Sequence, residues 1–250
     1  MVRERATGVI LCAGRGARLG ALAEGRPKCL LPLAGRPILE WSLRNFRAAG
    51  IQEVVLVTGF RRDLVERFLA ERAEEGVTCV QNDRYSATNT AFSFNLALRV
   101  LNTNIVLVNG DVLYDQTILE DLVLHPAANC VAVDTDVPLQ AEEVKVVVRD
   151  GRVAEIGKDL DPGRCQGEAI GLYKVGRGLI ADLRRIFDGL ETRGEFGHFF
   201  EMGFERICAE GGNGARAFSV APTAGRAWAE IDTPEDLAYA QRQVAPRLQA

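Results

Sequence analysis

Residues 8–19 of the chain are GVILCAGRGARL, and this stretch decides the fold class. Its first six residues, GVILCA, are a short and continuously apolar run, which is typical of a parallel strand buried on both faces. The residues from Gly14 to Arg26 contain too much glycine and arginine to be buried, so they predict a loop at the carboxyl end of that strand. Open α/β sheets bind their ligands at this end of their strands.

Strands and helices alternate beyond this loop. Helices are predicted from Pro37 to Ala48, from Arg62 to about Glu75 and from Ala91 to Leu101, and strands at Glu53–Thr58, Val77–Gln81 and Asn104–Val108. This alternation with short connections predicts an α/β fold, with a doubly wound, mostly parallel central sheet and helices on both of its faces.

The pattern changes after about residue 128. Asn129 to Asp134 predicts another strand, and Val144 to Ile156 predicts a β-hairpin that turns at Asp150-Gly151. Further strands are predicted at residues 168–174, 217–220 and 228–231, and helices near residues 178–190 and 198–210 and from residue 233. We therefore expect a single domain over residues 1–250, with a first half up to about residue 127. The second half, from about residue 128, adds a small β-hairpin and helical part.

The composition excludes several classes of protein. The 250 residues contain 30 Lys and Arg against 34 Asp and Glu, a net charge of −4, and this gives no basic face for a nucleic acid. No apolar run approaches the roughly 18–20 residues that a membrane span needs. The N-terminus carries an acidic residue, unlike a signal peptide, and no two of the six cysteines have zinc or redox spacing. We expect a cytoplasmic protein with reduced thiols and no nucleic-acid or membrane partner.

The available chemistry is restricted in the same way. Only two histidines occur, which argues against a zinc site built on histidine, and no serine lies in a G-x-S-x-G elbow. The reaction, if there is one, must therefore use carboxylates, lysines, arginines and backbone amides.

Three cations are predicted near the end of the first strand. Gly14 and Gly16 allow backbone N–H groups to approach phosphate oxygens, and Arg15 and Arg18 add charged donors. A proline-flanked segment places Lys28 close behind this loop. In an acidic chain, this combination favours a polyphosphate ligand over an ordinary strand-to-helix turn.

Two other phosphate-binding motifs are excluded. The dinucleotide fingerprint requires Gly or Ala where Leu19 stands, and the acidic residue that it expects about 20 positions later is absent. A P-loop is also excluded, because no Gly-Lys-Ser/Thr follows the glycines.

Three carboxylates are predicted to share the same edge of the sheet. Asp111 follows an apolar strand and Gly110, while Glu230 and Asp232 are two residues apart on a short strand and so point to one face. Mg²⁺ prefers a few carboxylates together with phosphate oxygens and water, so Asp111, Glu230 and Asp232 are the predicted metal ligands. An alternative for Asp232 is the N-cap of the following helix, a role that Thr233 can fill equally well.

The complete pattern resembles a known family. L-x-A-G-x-G-x-R-L followed by R-P-K-x-L-L-P-L is similar to the signature of nucleotidyltransferases that act on sugar 1-phosphates and related small phosphates. The later segments VNGD (108–111), EVKV (143–146), EIGK (155–158), GEAIG (167–171) and WAEIDT (228–233) agree with it. Within this sugar-phosphate nucleotidyltransferase superfamily, Cys12, Glu168 and residues 82–93 most resemble the CTP:phosphocholine cytidylyltransferase-like branch. That branch includes inositol-phosphate and aminoalkylphosphonate cytidylyltransferases, and the resemblance spans residues 8 to 240.

The resemblance implies a Rossmann-like nucleotidyltransferase fold with a nucleotide-binding first half and an acceptor-binding second half. It implies transfer of CMP from CTP to a small phosphate or phosphonate acceptor, with release of pyrophosphate and with Mg²⁺ as cofactor. Such an acceptor is already anionic and needs no general base. In this scheme Arg18 holds the β- and γ-phosphates, Lys28 bridges the α-phosphate and the entering oxygen, and Lys158 holds the attacking group.

Two further groups of residues complete the expected site. The nucleotide is expected to contact Leu11, Ala13, Gly14, Arg15, Gly16, Gln81, Tyr85, Thr88, Asn89, Ser93 and Gly110. The acceptor is expected to contact Lys145, Glu168, Tyr173, Glu201 and Trp228. Some of these residues have plainer alternatives, because Thr88 or Asn89 can cap the helix at Ala91 and Lys145 can be an exposed hairpin residue.

Alternatives remain for the reaction and for the acceptor. A sugar-1-phosphate uridylyl-, guanylyl- or thymidylyltransferase, or a non-catalytic NTP-sensing module, is compatible with parts of the pattern, and a homodimer is left open. A quaternary ammonium such as choline needs a cage of aromatic faces, whereas Phe199 and Phe200 are more typical of core packing. Because Glu168 and Glu201 suit directed hydrogen bonds, we expect an amino- or hydroxyl-bearing acceptor rather than phosphocholine.

Overall fold

The computed structural model describes residues 5–23, 25–211 and 214–248. Within these ranges the strands are β1 (Ala6–Cys12), β2 (Pro32–Leu33), β3 (Arg36–Pro37), β4 (Val54–Thr58), β5 (Val77–Gln81), β6 (Asn104–Asn109), β7 (Val112–Tyr114), β8 (Asn129–Asp134), β9 (Lys145–Arg149), β10 (Arg152–Gly157), β11 (Gly167–Val175), β12 (Phe218–Pro222) and β13 (Trp228–Glu230). The helices are α1 (Ile38–Ala48), α2 (Arg62–Glu71), α3 (Thr90–Val100), α4 (Gln116–Leu124), α5 (Ile180–Thr192), α6 (Glu201–Ala209), α7 (Pro234–Tyr239) and α8 (Ala245–Leu248). None of the helices in the described ranges is long and apolar enough to cross a membrane.

One large sheet organises the fold, with the strand order β5-β4-β1-β6-β11-β8-β12-β10-β9 among the described residues. The first four strands, β5, β4, β1 and β6, are parallel to one another. Strand β11 is antiparallel to both β6 and β8, β12 returns parallel to β8, and β10 and β9 form the antiparallel end. The predicted α/β class is confirmed, and the parallel part of the sheet is concentrated in the first half of the chain.

The two faces of this sheet are both buried, as the apolar run of β1 predicts. Neighbouring residues Val9 and Ile10 belong to different core clusters because successive side chains of a strand point to opposite faces. Val9 packs in the cluster that contains Phe94 of α3 and Phe187 of α5, and Ile10 packs in the cluster that contains Phe46 of α1. Helices therefore cover both sides of the sheet.

Most element boundaries match the sequence to within a few residues, and the Asp150-Gly151 turn of the β9–β10 hairpin has both residues at positive φ, 50° and 71°. The structure adds β7 and α4, which the sequence reasoning did not predict. The signal for α4 was present, since the Asp115 side chain caps it by accepting a hydrogen bond from the backbone N–H of Thr117. Helix α4 lies between β6 and β8 in the chain, and β7 pairs with β13 in a separate two-stranded sheet.

A third, smaller apolar cluster joins the two ends of the chain. It brings Leu19 and Leu31, which flank the glycine–arginine loop, against Leu113, Ile231 and Leu237. Because Ile231 is fixed in this cluster, the residues on either side of it are held next to the loop that follows β1. The cluster is the packing that assembles the candidate site.

Gly110 marks a close approach between the ends of β1 and β6. A Cβ atom at this position would lie 2.5 Å from the carbonyl oxygen of Leu11 and 2.6 Å from the Sγ of Cys12. A Cβ at Gly14, by comparison, would meet nothing within 4 Å. The backbone therefore requires glycine at residue 110 for steric reasons.

We expect Gly110→Ala to lower the free energy of unfolding by about 1–3 kcal/mol, the usual cost of overpacking a tight interior. Gly14→Ala is the matched control and should leave it nearly unchanged. Urea unfolding followed by circular dichroism measures both variants. Equal unfolding midpoints for the two variants would contradict this account of Gly110.

Candidate active site

The ends of two parallel strands define the site. Leu11 of β1 lies opposite Asn109 of β6 in the sheet register, so the glycine–arginine loop begins beside Gly110 and Asp111. Strand β13 pairs with β7, which places Glu230 opposite Val112. The next residue, Ile231, donates its backbone N–H to the carbonyl oxygen of Asp111 at 3.0 Å.

This pairing brings together the three predicted metal ligands. One carboxylate oxygen from each of Asp111, Glu230 and Asp232 lies within 4.8 Å of the others. The alternative role of Asp232 as a helix cap is taken by Thr233, whose hydroxyl accepts the backbone N–H of Asp236 at 3.2 Å. The Asp232 carboxylate is therefore available for charged partners.

Two of the predicted cations occupy this carboxylate cluster. The Nζ of Lys28 donates to Asp111 Oδ2 at 2.8 Å and to Asp232 Oδ1 at 2.5 Å. The guanidinium of Arg18 donates to Asp232 Oδ2 at 2.6 Å. Loss of water disfavours the charge on Lys28, but the two carboxylates outweigh it and raise the pKa of Lys28 above its usual value. The same balance lowers the pKa of Asp232, because desolvation is outweighed by Lys28 and Arg18.

The cluster has the donor set of a divalent-cation site. Asp111 Oδ1 is buried and has no hydrogen-bond partner among the described residues, so one ligand oxygen is uncommitted. Loss of water around Glu230, together with the charges of Asp111 and Asp232, raises the pKa of that carboxyl. Hard cations such as Mg²⁺ take oxygen ligands of this kind. Asp111, Glu230 and Asp232 thus fit a divalent metal.

The glycine–arginine loop lies against the same cluster. Gly16 has φ +65°, and a Cβ at this residue would be 3.1 Å from the Cβ of Lys28. Ala13 is buried and accepts the backbone N–H of Phe60 at 3.0 Å, while Gly14 and Arg15 are exposed. The guanidinium of Arg15 lies 5.3 Å from the ring centroid of Phe60. Leu11 and Gly110 line the adjoining cavity.

The segment predicted to contact the base is held mainly by its own hydrogen bonds. The buried Asn82 donates through Nδ2 to the hydroxyls of Thr88 and Ser93, both at 3.0 Å. Asn89 caps α3, as one of the alternatives proposed, by accepting the N–H of Thr90 at 2.8 Å. Gln81 is exposed at the end of β5, and Tyr85 is half-buried. Thus Gln81 and Tyr85 present accessible groups, while Thr88, Asn89 and Ser93 brace the segment.

A cavity of about 380 Å³ opens beside the carboxylate cluster and is lined by two of the five predicted acceptor residues, Glu168 and Glu201. Lys158, Glu168 and Glu201 line it, together with Phe199, whose ring centroid lies 4.4 Å from Lys158 Nζ. Phe200 also lines the cavity but is packed in the core, so the two phenylalanines have different environments. Trp228 lies in the adjoining groove, where its indole N–H donates to Asp134 Oδ2 at 2.5 Å.

Two other predicted acceptor residues, Lys145 and Tyr173, line neither the cavity nor this groove, and for these the expectation from sequence needs correction. Lys145 is 1% exposed, and its Nζ donates to the backbone carbonyl oxygens of Gln140, Ala141 and Glu143 at 3.0–3.1 Å. Lys145 is therefore a buried residue that braces its own loop, and not the exposed hairpin residue of the alternative. Tyr173 is fully buried, and its hydroxyl donates to Glu201 Oε1 at 3.3 Å.

Buried carboxyl groups dominate the cavity's electrostatics. Desolvation raises the pKa of Glu201 to about 7, and Glu201 Oε2 is buried with no hydrogen-bond partner within the described ranges. Desolvation, reinforced by Glu143 and Asp134, also raises the pKa of Glu168 to about 7. A positively charged or hydrogen-bond-donating ligand group would satisfy both carboxyls.

Several site residues were not predicted from the sequence, among them Phe60, Thr90 and Glu142. Phe60 follows Gly59 just beyond the carboxyl end of β4, a position that could have been identified from the strand prediction. Thr90 and Glu142 line the acceptor cavity. Nothing in their local sequence distinguishes them from ordinary helix-start and loop residues, since only the tertiary fold brings them there.

Comparison with known proteins identifies the family. The model of the MobA-like NTP transferase domain matches residues 8–156. The chain belongs to this family. The expected resemblance to nucleotidyltransferases is confirmed, and the domain is an enzyme of the nucleotidyltransferase class. Enzymes of this class generally use a divalent metal, for which the carboxylate cluster has the required ligands.

Two curated relatives and one solved structure extend this assignment. The chain is 32% identical over 245 residues to CMP-5'-(3-aminopropyl)phosphonate synthase of Streptomyces rubellomurinus, an alignment that covers 95% of this chain but 38% of that protein. It is 23% identical over 252 residues to CTP:phosphoglutamine cytidylyltransferase of Campylobacter jejuni, covering 92% of this chain and 96% of the relative. The inositol-1-phosphate CTP transferase from T. maritima has the same fold, with a TM-score of 0.79, 20% identity and coverage of 97% and 98%.

We expect Glu201→Gln to stabilise the fold at pH 8. The folded-state pKa of Glu201 is about 7, above the ordinary 4.5. Ionisation of this carboxyl therefore lowers the free energy of unfolding; the loss is complete above pH 7 and absent below about pH 4.5. The gain in free energy of unfolding should approach about 3 kcal/mol at pH 8 and vanish near pH 4.5.

Urea unfolding at pH 8 and at pH 4.5 tests this dependence. Glu205→Gln, on the exposed face of the same helix, is the control and should leave the free energy of unfolding unchanged at both pH values. A Glu201→Gln variant that is less stable than the wild type at pH 8 would show that the Glu201 carboxylate has an unrecognised stabilising partner.

Proposed function

We propose that this domain transfers CMP from CTP to a small phosphate or phosphonate acceptor and releases pyrophosphate. The observation that carries the proposal is the carboxylate cluster bridged by Lys28 beside the glycine–arginine loop. The names of the two curated relatives support cytidine as the nucleoside, since one is a CMP-phosphonate synthase and the other a CTP-dependent cytidylyltransferase.

In this reaction an anionic oxygen of the acceptor attacks the α-phosphorus of CTP. A new P–O bond forms, the bond to the β-phosphate bridging oxygen breaks, and pyrophosphate leaves with the electron pair. No proton has to be removed from the attacking oxygen, so the reaction needs no general base. Catalysis then depends on positioning and on neutralising charge.

Each cation of the site has a distinct task in this scheme. Arg18, exposed at the mouth of the cleft, holds the β- and γ-phosphates with the help of the loop amides from Ala13 to Gly16. Lys28 exchanges part of its contact with Asp111 and Asp232 for the α-phosphate and the entering oxygen. Lys158 holds the acceptor's phosphate or phosphonate group above Phe199.

Mg²⁺ is the proposed cofactor, held by Asp111 and Asp232 with Glu230 beside them. When bound, it supplies further neutralisation of the negative charge on the transferring phosphate. The uncommitted Oδ1 of Asp111 and the all-oxygen donor set support this choice.

The acceptor is proposed to carry a primary ammonium group in addition to its phosphate or phosphonate. Among the described residues Glu201 Oε2 is buried without a hydrogen-bond partner, and Glu168 lines the same cavity, as do the cations Lys158 and Arg18. A primary ammonium offers directed N–H donors to such carboxylates. One exposed phenylalanine, Phe199, does not form an aromatic cage for a quaternary ammonium.

Pyrophosphate release across CTP, UTP, GTP and ATP tests the function, with 3-aminopropylphosphonate, its 3-hydroxypropyl isostere and phosphocholine as acceptors. We expect kcat/KM to be highest for CTP with the amine, and roughly tenfold or more lower for the hydroxyl isostere, because a hydrogen bond between charged groups is lost. Glu201→Gln should reduce this preference. A clear preference for another nucleotide, or for phosphocholine, would contradict the respective part of the proposal.

We expect Asp111→Asn to lower kcat by about a hundredfold or more, because neutralising charge on the transferring phosphate is worth several kcal/mol. The matched control is Asp121→Asn, which removes a surface carboxylate paired with Arg226. It should retain wild-type turnover. Full activity of Asp111→Asn with Mg²⁺ present would exclude Asp111 from the mechanism.

A further inference from the structure

The base segment, residues 82–93, is bonded directly to one wall of the acceptor cavity. That wall is a strap formed by residues 196–200, which leads into α6 and Glu201. Four hydrogen bonds join the two: Asn89 N to Phe196 O at 2.8 Å, Asn89 Nδ2 to Gly197 O at 3.2 Å, Ala91 N to His198 O at 3.2 Å, and Phe200 N to Thr90 Oγ1 at 3.0 Å.

A cation–π contact also links the base segment to the strap, and we call this contact region the junction. The guanidinium of Arg84 lies 4.0 Å from the ring centroid of Phe196 and 5.5 Å from that of Phe92. The two rings meet edge to face at 5.9 Å. Arg84 is exposed and does not line the acceptor cavity, so its effect on that cavity must act through the strap.

The base segment lies near the glycine–arginine loop, and the strap lies beside the acceptor cavity. On the base segment, Tyr85 packs against Gly59, and so does the carbonyl oxygen of Ala13 just before the glycine–arginine loop: a Cβ at Gly59 would lie 2.7 Å from Tyr85 Cβ and 2.8 Å from that oxygen. On the strap, Phe199 lies under Lys158, and the buried Phe200 precedes Glu201. Through Gly59, neighbouring residues therefore connect the start of the glycine–arginine loop with the acceptor cavity.

We propose that this junction couples the two halves of the site, with Thr90 and Arg84 as positioning residues. The inference rests on the proposed function. A nucleotide that orders the base segment also orders the strap through Thr90 and Arg84, and so holds Phe199 and Glu201 in place for the acceptor. Ordering by the first ligand lowers the entropic cost of binding the second, and the coupling is reciprocal.

Hydrogen–deuterium exchange of the full chain tests the proposal, with Mg²⁺ and α,β-methylene-CTP, a nucleotide that cannot transfer CMP, as the probe. In the wild type we expect the nucleotide to slow exchange about fivefold in peptides covering residues 196–200, as well as in those covering the glycine–arginine loop. Thr90→Val removes the acceptor of the Phe200 N–H, and Arg84→Ala removes the cation–π contact. In both variants protection of the loop should remain and protection of the strap should fall.

Two controls separate positioning from simple loss of structure. Thr90→Ser keeps the hydroxyl and should restore strap protection. Arg99→Ala breaks a different link between α3 and α5, the ion pairs with Asp188 and Glu191 at 2.8 and 2.9 Å, and should leave strap protection unchanged. If Thr90→Val loses its cooperative thermal transition, the surface variant Arg84→Ala decides the result.

The outcomes distinguish this proposal from the proposed function. Protection of the glycine–arginine loop without any protection of the strap in the wild type overturns the coupling and leaves the function intact. Strap protection that persists in Thr90→Val and Arg84→Ala also overturns it. If the nucleotide protects neither region, the proposed CTP-dependent function fails, and the coupling fails with it.

Discussion

The ammonium group of Lys28 lies between the carboxylates of Asp111 and Asp232, residues that are 83 and 204 positions away in the chain. This ion-paired group ties the loop after the first strand to the central strand β6 and to the C-terminal segment. It is possible because Leu19, Leu31 and Ile231 pack in one apolar cluster, which fixes the backbone on both sides. Hydrophobic packing thus places the charges, and the charges form the site.

The acceptor side of the cleft has the opposite electrostatic character. Glu168 and Glu201 are removed from water without enough positive charge nearby, and burial raises the pKa of each to about 7. Such groups cost folding free energy, which proteins tolerate mainly at functional sites. A ligand that supplies a cation would recover part of that cost on binding. Burial of these two carboxyl groups therefore accounts both for a lower free energy of unfolding and for the proposed preference for an ammonium-bearing acceptor.

The sequence predicted those site residues whose placement follows from local rules. Asp111 follows a buried strand, and Glu230 and Asp232 are spaced for one face, so the cluster was accessible from sequence. Lys145 could not be placed correctly, because the carbonyl oxygens that surround its ammonium come from a loop whose conformation no local pattern encodes. For Tyr173, both faces of β11 are buried, and only the packing of α6 places the Tyr173 ring against Phe204 in the core.

The exchange of partners at Lys28 can be observed in a crystal structure with α,β-methylene-CTP and Mn²⁺. We expect an anomalous peak for Mn²⁺ coordinated by Asp111 and Asp232, with the Lys28 ammonium moved onto the α-phosphate. A nucleotide bound with Lys28 still paired to both carboxylates, and with Mn²⁺ away from them, would contradict it.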